Sequence, residues 1–335
     1  MPHNLKTGKN ILNILIIRRD NIGDLLCTTP LLRGLKDQLK VSRLDVVTNA
    51  YVAPVLKGSQ LIDDLYIYHK LKHGHISFLN AVFERFRLIF NLRKYHYDYI
   101  LAFDHRALNL TRFLRKTKIL NPIKDWTKGT EVERVWELGE RLGLKGAPGP
   151  LELPPHLCQP SYNRKDNQKI GIHISARRLR QQYPAKQWIK LIRKLNDLNP
   201  KLTFNIFWSP GDSNNPIHPG DDKKAQTLKN ALKNLPIKFI STLTLESLIK
   251  GIQDCDSMIM ADGGAMHIAA ALNRPIIALF GDSNPRQWRP HKVPHIIMQE
   301  ETNDVRDIEV SSIVDAWAII SKSNINTGNK KPNIK

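Results

Sequence analysis

The sequence predicts an α/β protein with two Rossmann-like domains. Apolar segments typical of buried strands alternate with helix-like segments along the chain, as in βα units on a parallel sheet. The 335 residues exceed what one hydrophobic core usually accommodates. A stretch rich in proline and glycine interrupts the alternation near the middle of the chain. Together these three observations indicate two domains.

The first domain is predicted over residues 1–150. Strands are expected at 13–17, 44–48, 65–68 and 99–103, and helices at 25–39, 77–93 and 131–142. Short apolar runs predict the strands, and longer runs with helical spacing predict the helices. The turn after the first strand carries Arg18, Asn21, Gly23 and Asp24 at the carboxyl edge of the predicted sheet, where ligands of such folds bind.

A linker stiffened by proline is predicted over residues 151–168, and the second domain over residues 169–323. Strands are expected there at 169–175, 202–208, 258–261 and 276–281, and helices at 184–198, 222–235, 243–253 and after Gly264. The final residues, 324–335, are polar and basic, which predicts a disordered tail.

The composition narrows the function. Lys and Arg number 51 against 31 Asp and Glu, and the net charge of +20 indicates a partner with dense negative charge. Nucleic acid, an anionic membrane surface and a phosphorylated glycolipid all fit, but no nucleic-acid recognition motif accompanies the charge. The 3 cysteines are widely spaced and fit a reducing cytoplasm. Neither a signal-peptide core nor a membrane span is recognisable, so we expect a cytoplasmic protein.

Residues 256–281 carry the clearest chemical signal. An apolar strand leads into Asp262, Gly263 and Gly264, and an apolar helix with His267 follows. A helix that begins at the carboxyl edge of a parallel sheet directs free backbone amides at that edge, where they stabilise a phosphate. Asp262 is then placed to hold a sugar hydroxyl. The alternative is that Asp262 only caps the helix and His267 only lies on its face.

The first βα turn of each predicted domain carries further candidates. Ser175, Arg177, Arg178 and Arg180 suit a diphosphate, because hydroxyl and guanidinium groups donate hydrogen bonds to it. Solvated arginine side chains are the alternative for some of them. Asp24, at the mouth of the turn in the first domain, is either a catalytic group or a helix cap.

Three separated motifs, in this order, resemble glycosyltransferase family 9, whose best-known members are the ADP-heptose:lipopolysaccharide heptosyltransferases. They are residues 14–24 with the following Thr28, Thr29 and Pro30, the Ser175 turn ahead of Pro184, and residues 262–267 ahead of Gly281. The resemblance extends over nearly the whole ordered chain. It implies the GT-B fold, with two Rossmann-like domains facing a central cleft, an N-terminal domain for the acceptor and a C-terminal domain for the sugar nucleotide.

The resemblance also implies roles for individual residues. Asp24 matches the proposed catalytic base, and Arg18, Asn21 and Gly23 beside it are the expected acceptor-binding residues. The expected donor-binding residues are Ser175, Arg177, Arg180, Asp262, Gly263, Gly264, Ala265, Met266 and His267. The implied reaction inverts the anomeric carbon and needs neither a metal nor a cofactor. In it, Asp24 accepts the proton of the acceptor hydroxyl, which attacks while the nucleoside diphosphate departs.

Two features depart from the family pattern. Several members have a lysine where this chain has Gln181, which leaves Arg178 and Arg180 as alternative sources of the charge. The loop at residues 209–222 is also longer than the family minimum. The identity of the ribose-binding acid therefore stays open between Asp212, Asp221 and Asp222.

The resemblance implies three partners: a nucleotide-sugar donor, expected to be ADP-heptose, a lipid A-core or related anionic glycolipid acceptor, and an anionic membrane surface. The expected location is cytoplasmic, peripheral on the inner face of the inner membrane. Residues 77–97 are basic and amphipathic, so they either rest on anionic lipid or form a core helix with a solvated side. The rival functions are transfer of another sugar to a different surface glycan, non-catalytic sugar-nucleotide binding, and nucleic-acid binding.

Two other groups of residues receive structural interpretations. Asp254 and Asp256 form an Asp-x-Asp sequence, the metal-binding pattern of a different glycosyltransferase fold. They precede a buried strand at its amino end, away from the edge where ligands bind, so we interpret them as structural. His73 and His75 lie in a basic loop and are expected to be solvated. No metal site is predicted.

Overall fold

The computed structural model describes residues 12–69, 78–115, 117–121, 129–158, 168–214 and 220–327. His73 and His75 lie outside these ranges. The chain divides into two compact units. The first comprises Met1–Lys128 and Val132–Gly149, and the second comprises Gly129–Glu131 and Pro150–Lys335. Each unit is built around one parallel sheet.

The first unit has a five-stranded sheet covered by helices. Its strands are β1 Asn13–Ile17, β2 Arg43–Asn49, β3 Leu65–Tyr68, β4 Tyr99–Ala102 and β5 Lys118–Leu120. Its helices are α1 Ile22–Leu26, α2 Thr29–Asp37, α3 Phe78–Leu92, α4 His105–Thr111 and α5 Glu131–Glu140. The strand order is β3-β2-β1-β4-β5. β1 is central and apolar because a parallel sheet is buried on both faces.

The single helix predicted at residues 25–39 is wrong, because the chain forms α1 and α2 there. α1 begins earlier than predicted, at Ile22, so Asp24 lies inside its first turn. The break precedes Pro30, which lacks the backbone N–H that a continuous helix requires and whose fixed φ suits the first turn of a new helix. The Thr28 hydroxyl donates to the Asp24 carbonyl oxygen at 2.9 Å and satisfies one acceptor at the end of α1.

The second unit has a six-stranded sheet. Its strands are β6 Lys169–His173, β7 Thr203–Trp208, β8 Ile237–Ser241, β9 Ser257–Ala261, β10 Ile276–Leu279 and β11 His295–Met298. Its helices are α6 Ala185–Leu198, α7 Asp222–Ala231, α8 Leu245–Gln253, α9 Gly264–Ala271, α10 Pro285–Trp288 and α11 Val310–Thr327. The strand order is β11-β10-β9-β6-β7-β8. β8 and β11 were not predicted from the sequence.

α11 extends past the predicted end of the second domain. It includes residues 324–327, which were assigned to a disordered tail, and that assignment is wrong for these residues. Buried Ile313, Trp317 and Ile320 anchor the helix, and each further residue adds a hydrogen bond to a turn already formed. Residues 328–335 lie outside the described ranges. Neither α11 nor any other described helix is long and apolar enough to span a bilayer.

Each sheet reverses its strand order beside its first strand. The first unit runs from β1 outward to β3 and returns to β4 on the other side of β1. The second unit runs from β6 outward to β8 and returns to β9 on the other side of β6. The connections on the two sides diverge, which opens a crevice at the carboxyl ends of the central strands, where ligands of doubly wound sheets bind. In this chain the crevices lie between β1 and β4 and between β6 and β9.

Candidate functional site

Asp24 is held by hydrogen bonds at the carboxyl end of β1. Its Oδ1 accepts from Arg18 Nη2 at 2.7 Å, and its Oδ2 accepts from the backbone N–H and the side-chain amide of Asn21, both at 3.1 Å. The contacts with Asn21 form a capping box at the start of α1, so Asp24 does cap this helix. A carboxylate has about four acceptor positions, which leaves Asp24 able to accept another proton donor.

Arg18, predicted to bind the acceptor, is buried beneath this turn. Its side chain is 2% exposed, and its guanidinium lies over the Phe103 ring with Cζ 4.5 Å from the ring centroid. It also pairs with Asp20 at 3.4 Å as well as with Asp24. A buried guanidinium requires such partners because burial of an unpaired charge is costly. The side chain of Arg18 therefore orients Asp24 and does not lie on an open surface. Gly23 is likewise buried, and Asn21 is exposed.

A second buried arginine, Arg19, lies at the same carboxyl edge of the sheet. Arg19 Nη2 donates to Asp104 Oδ1 at 2.9 Å, and its guanidinium lies over the ring of Tyr68 at 4.3 Å. Asp104 is also the N-cap of α4. Asn49 at the end of β2 donates to the carbonyl oxygens of Arg19 and Asp20 at 2.8 and 3.0 Å. The carboxyl ends of four strands are thereby tied to one turn.

Asp262 follows β9 and is held from two sides. Gln181 Nε2 donates to Asp262 Oδ2 at 3.3 Å and to Ser283 Oγ at 3.1 Å. Gln181 is 6% exposed, so this amide links the loops after β6, β9 and β10 inside the protein. Ser283 was not predicted from the sequence, where its signal is its position just beyond the carboxyl end of β10.

The structure distinguishes the three side chains near the family's lysine position. Gln181 itself is directed at Asp262. Arg178 is exposed and pairs with Asp282 at 3.5 Å. Arg180 is also exposed, and its Nη1 donates to the Thr302 carbonyl oxygen at 3.3 Å. Two guanidinium groups therefore lie at the surface while a neutral amide holds the carboxylate.

Burial raises the pKa of Asp262 above its ordinary value. The charges of His267 and Arg178 and hydrogen bonds from Ser283 and Gln181 oppose this shift and only partly offset it. The ionised carboxylate is therefore less well solvated than in water. A ligand hydroxyl that donates to it supplies part of the solvation that burial removes.

The turn after Asp262 presents open backbone to solvent. Gly263 is the N-cap of α9, and a Cβ built on it meets no atom within 4 Å. Gly264 and Ala265 are the first residues of α9, and the first backbone N–H groups of a helix have no partner within it. Met266 and His267 are buried at 0% and 2% exposure, so their side chains do not line this turn.

The loop after β6 adds one hydroxyl and one cation to the edge. Ser175 Oγ accepts from the Ser209 backbone N–H at 2.8 Å, which joins the loops after β6 and β7, and its own proton stays available. Arg177 is exposed. Nearby, a cavity of about 390 Å³ is lined by Arg180, Asp282, Ser283, Asn284, Pro285, Gln299 and Asn303.

The candidate ribose-binding acids differ in their partners. Asp222 accepts from Trp208 Nε1 at 2.8 Å and from a backbone N–H at 2.9 Å. Asp221 pairs with Lys224 at 2.6 Å. Asp212 is exposed and accepts a local turn hydrogen bond at 2.7 Å. Asp222 and Asp221 therefore order the start of α7.

Asp254 and Asp256 lie at the amino end of β9 and serve the packing there. The Lys169 ammonium pairs with Asp254, and the Lys169 backbone N–H donates to Asp256 Oδ2 at 2.7 Å. Asn205 also donates to Asp254 at 3.2 Å. These contacts agree with the structural interpretation of the Asp-x-Asp sequence. Within the described ranges, no three His, Cys, Asp or Glu side chains are grouped as a metal site.

Comparison with known proteins identifies a family. The sequence model of Glycosyltransferase family 9 (heptosyltransferase) matches residues 94–318. This range includes the Ser175 and Asp262 turns and leaves out the Asp24 turn. The chain is 26% identical over 308 residues to lipopolysaccharide heptosyltransferase 2 of Salmonella typhimurium, covering 82% of this chain and 84% of that protein. It is 25% identical to the Escherichia coli enzyme of the same name, with the same coverage.

Solved structures show the same fold. The chain superposes on a family 9 glycosyl transferase from Veillonella parvula with a TM-score of 0.73 and 16% identity, covering 93% of this chain and 97% of that one. For E. coli ADP-heptose lps heptosyltransferase II the TM-score is 0.72 with 19% identity, covering 94% of this chain and 100% of that one. The two parallel α/β units are thus those of the GT-B fold.

We predict that Asp262→Asn stabilises the folded chain at neutral pH. Folding raises the pKa of Asp262, so its contribution to stability is fully present below the ordinary pKa near 3.9 and is lost as the pH rises through the folded value. Asparagine removes the penalty of the buried charge. At pH 7 the melting temperature of the Asp262→Asn variant should therefore be higher than that of the unchanged chain. The gain should shrink as the pH falls toward 4.

Asp304→Asn, in the same unit, is a control for which the opposite change in melting temperature is expected. Hydrogen bonds from Arg306 hold the pKa of Asp304 at about 2, so its ionised form stabilises the fold above its ordinary pKa and this is lost as the pH falls toward 2. Asp304→Asn should therefore lower the melting temperature at pH 7. A fall with Asp262→Asn as well would contradict the burial penalty at Asp262.

Proposed function

The chain belongs to glycosyltransferase family 9, and from this premise we propose that it transfers a heptose from ADP-heptose to the core of lipopolysaccharide. Family membership makes it a glycosyltransferase. The names of the Salmonella typhimurium and E. coli relatives, both lipopolysaccharide heptosyltransferase 2, support the sugar and the class of acceptor. A structural relative from E. coli was solved with ADP, which supports the nucleotide.

The observation that carries the donor half of the proposal is the turn from β9 into α9. Open space beside Gly263, the first amides of α9 and the buried carboxylate of Asp262 occur together at the crevice of the second unit. The amides suit the diphosphate, and the carboxylate suits a hydroxyl of the transferred sugar. Because Gln181 and Ser283 hold Asp262, its orientation is set before the donor binds.

We propose that the reaction inverts the anomeric carbon without a metal. The departing nucleoside diphosphate gains negative charge as the glycosidic bond to phosphate breaks. Preorganised donors stabilise such charge well because they need no reorganisation during the reaction. In this chain the proposed hydrogen-bond donors to the diphosphate are the first amides of α9 and the side chains of Ser175, Arg177 and Arg180. Both arginines are exposed at the edge of the sheet.

For the acceptor half, we propose Asp24 as the general base. Its carboxylate removes the proton of the attacking hydroxyl, whose oxygen forms the new bond to the anomeric carbon as the bond to the diphosphate breaks. Arg18 and Asn21 orient this carboxylate. Asn21 is exposed beside it and is a candidate contact to the acceptor. Binding of the acceptor by the first unit and of the donor by the second, as predicted from the sequence, is part of this proposal.

The proposed working location is the inner face of the inner membrane. A lipid A-core acceptor is anchored in a bilayer, so the enzyme that glycosylates it must approach the bilayer surface. The net charge of +20 favours an anionic surface and an anionic acceptor.

The direct test is transfer from purified donors to a lipid A-core acceptor, followed by mass spectrometry. A mass increase of one heptose with ADP-heptose is expected. Calorimetric titration with ADP, UDP and GDP should show the tightest binding for ADP. Transfer from a UDP- or GDP-sugar alone would assign the chain to another surface glycan.

We predict that Gly263→Ala weakens ADP-heptose binding at least roughly tenfold and leaves the melting temperature unchanged. The added methyl meets no protein atom, and the φ of 161° is extended backbone that alanine adopts. It would, however, occupy the space through which a phosphate approaches the backbone. Gly149→Ala is the matched control, since its Cβ also meets no atom within 4 Å. Equal donor affinity in both variants would remove this turn from the donor site.

We predict that Asp24→Asn lowers turnover by roughly a hundredfold or more, as expected for loss of a general base. Asparagine keeps the shape of the side chain but cannot accept the proton. It also loses the charge that pairs with Arg18, so some loss of melting temperature is expected.

Asp104→Asn separates these two effects. Asp104 also pairs with a buried arginine and caps a helix at the same edge of the sheet. This control should lose similar stability and keep its turnover. Similar turnover in the two variants would make Asp24 a structural residue.

We predict that EDTA leaves the transfer rate unchanged. The proposed stabilisation of the leaving group uses amides and arginines, and the Asp-x-Asp carboxylates are bonded to Lys169 at the opposite end of β9. The measurement is the initial rate with and without EDTA, followed by addition of Mg²⁺ or Mn²⁺. Activity lost in EDTA and restored only by these ions would overturn the metal-free mechanism.

A further inference from the structure

The outer face of α3 exposes three phenylalanines. Phe83, Phe86 and Phe90 have exposures of 66%, 68% and 67%. At 3.6 residues per turn, this spacing gathers the three rings within roughly 60° of the helix circumference. We call this row the aromatic stripe. Large apolar side chains are seldom exposed as a continuous row on a monomeric protein, because each exposed ring loses the free energy of burial.

The opposite face of α3 holds the helix on the first unit. Leu88 and Leu92 are buried at 5% and 1% exposure and belong to one core with residues of β1, β2, β4 and α4. The inner face therefore supplies the packing that secures the helix. The aromatic stripe is not needed for this packing, so its rings can be changed without opening the core.

Cations flank the aromatic stripe. Arg87, Arg93 and Lys94 are exposed, and Lys94 Nζ lies 5.4 Å from the centroid of the Phe90 ring. Residues 78–120 contain nine Lys and Arg against three Asp and Glu. The acid within α3 is Glu84, which pairs with Arg87 at 3.0 Å. Apolar rings next to cations are the side chains that a helix lying in an anionic bilayer surface requires.

A second apolar and basic spot is formed by residues just after α4 and residues of β5. Phe113 is 58% exposed and Ile119 43% exposed. Arg112, Arg115 and Lys118 nearby are exposed as well. Because α3 and α4 pack on the same core cluster, both helices lie on the same side of the first sheet. The apolar and cationic pattern therefore recurs on that layer.

We propose that the outer face of α3 docks the protein on an anionic lipid bilayer, with the aromatic stripe inserted at the level of the headgroups and acyl-chain ends. Arg87, Arg93 and Lys94 then meet lipid phosphates. The proposal rests on the proposed function in one respect, since a membrane-anchored acceptor explains why the enzyme would dock. The choice of lipid over a protein partner follows from the excess of cations around the rings.

The test is sedimentation of the full chain with vesicles of phosphatidylcholine alone or mixed with phosphatidylglycerol. Binding is expected only to the mixed vesicles and should weaken as salt rises, because charge attraction near a surface is screened. Replacing all three rings (Phe83→Ser, Phe86→Ser and Phe90→Ser) should weaken binding roughly fivefold to tenfold for each ring. Arg93→Gln and Lys94→Gln should each cost about fivefold at low salt.

Two control variants test whether a loss of vesicle binding is specific to the aromatic stripe. Leu198→Ser with Leu243→Ser removes two other apolar side chains, 62% and 79% exposed, from the second unit and should bind as the unchanged protein does. Phe83→Leu, Phe86→Leu and Phe90→Leu together should restore most of the binding lost with serine. Equal binding of the serine variant and the unchanged protein would overturn the proposal, and so would an equal loss in the second-unit control.

Measurements of the oligomeric state and of the transfer activity distinguish lipid docking from self-association and from failure of the proposed function. Without lipid, the chain should be monomeric by sedimentation velocity. A dimer that the serine variant dissociates would identify a second copy as the occupant and overturn lipid docking. Transfer to a detergent-dispersed acceptor should be the same for the serine variant and the unchanged protein. Lack of transfer by the unchanged protein, with vesicle binding intact, would refute the proposed function and leave the docking surface standing.

Discussion

The reversal of strand order beside β1 and β6 is the constraint on which the candidate site depends. It leaves the carboxyl ends of two neighbouring strands uncovered in each sheet, and polar groups there need partners. In each unit, a side chain from the turn after the first strand bridges the gap. Arg18 reaches Phe103 after β4, and Gln181 reaches Asp262 after β9. The candidate residues are held by the same contacts that join the loops on the two sides of each crevice.

The two aspartates at these crevices are stabilised differently. Asp24 has a buried guanidinium within hydrogen-bonding distance, so its negative charge is balanced inside the protein. Asp262 receives a neutral amide from Gln181, and burial still raises its pKa. A lysine at this position would pair with the carboxylate directly. Glutamine holds the carboxylate in place without neutralising it, while Arg178 and Arg180 stay exposed at the surface. Asp262 is thus oriented by a neutral hydrogen bond in a site where burial disfavours its charge.

Helix α3 shows how one element serves both packing and surface chemistry. Leu88 and Leu92 join the core, whereas Phe83, Phe86 and Phe90 project from the opposite side. From its sequence, this segment is either a core helix or a lipid-facing helix. Its inner face is a core helix face, and its outer face has the composition of a lipid-facing one. Exposed Arg87, Arg93 and Lys94 place positive charge beside those rings.

The sequence by itself determined eight of the strands and the chemistry of the turns, whereas β5, β8 and β11 were not predicted from it. β1 and β3 have the predicted ends, because short apolar runs bounded by turn residues are typical of strands in a parallel sheet. The Asp262 turn was predicted from its glycines, which act locally. Only the tertiary structure decided that Gln181 holds Asp262, that His267 is buried, and that Phe83, Phe86 and Phe90 are exposed while Leu88 is not. These outcomes depend on segments far apart in the chain packing together. When a helix has apolar residues on several sides, its sequence alone does not determine which of those sides will be buried against the rest of the protein.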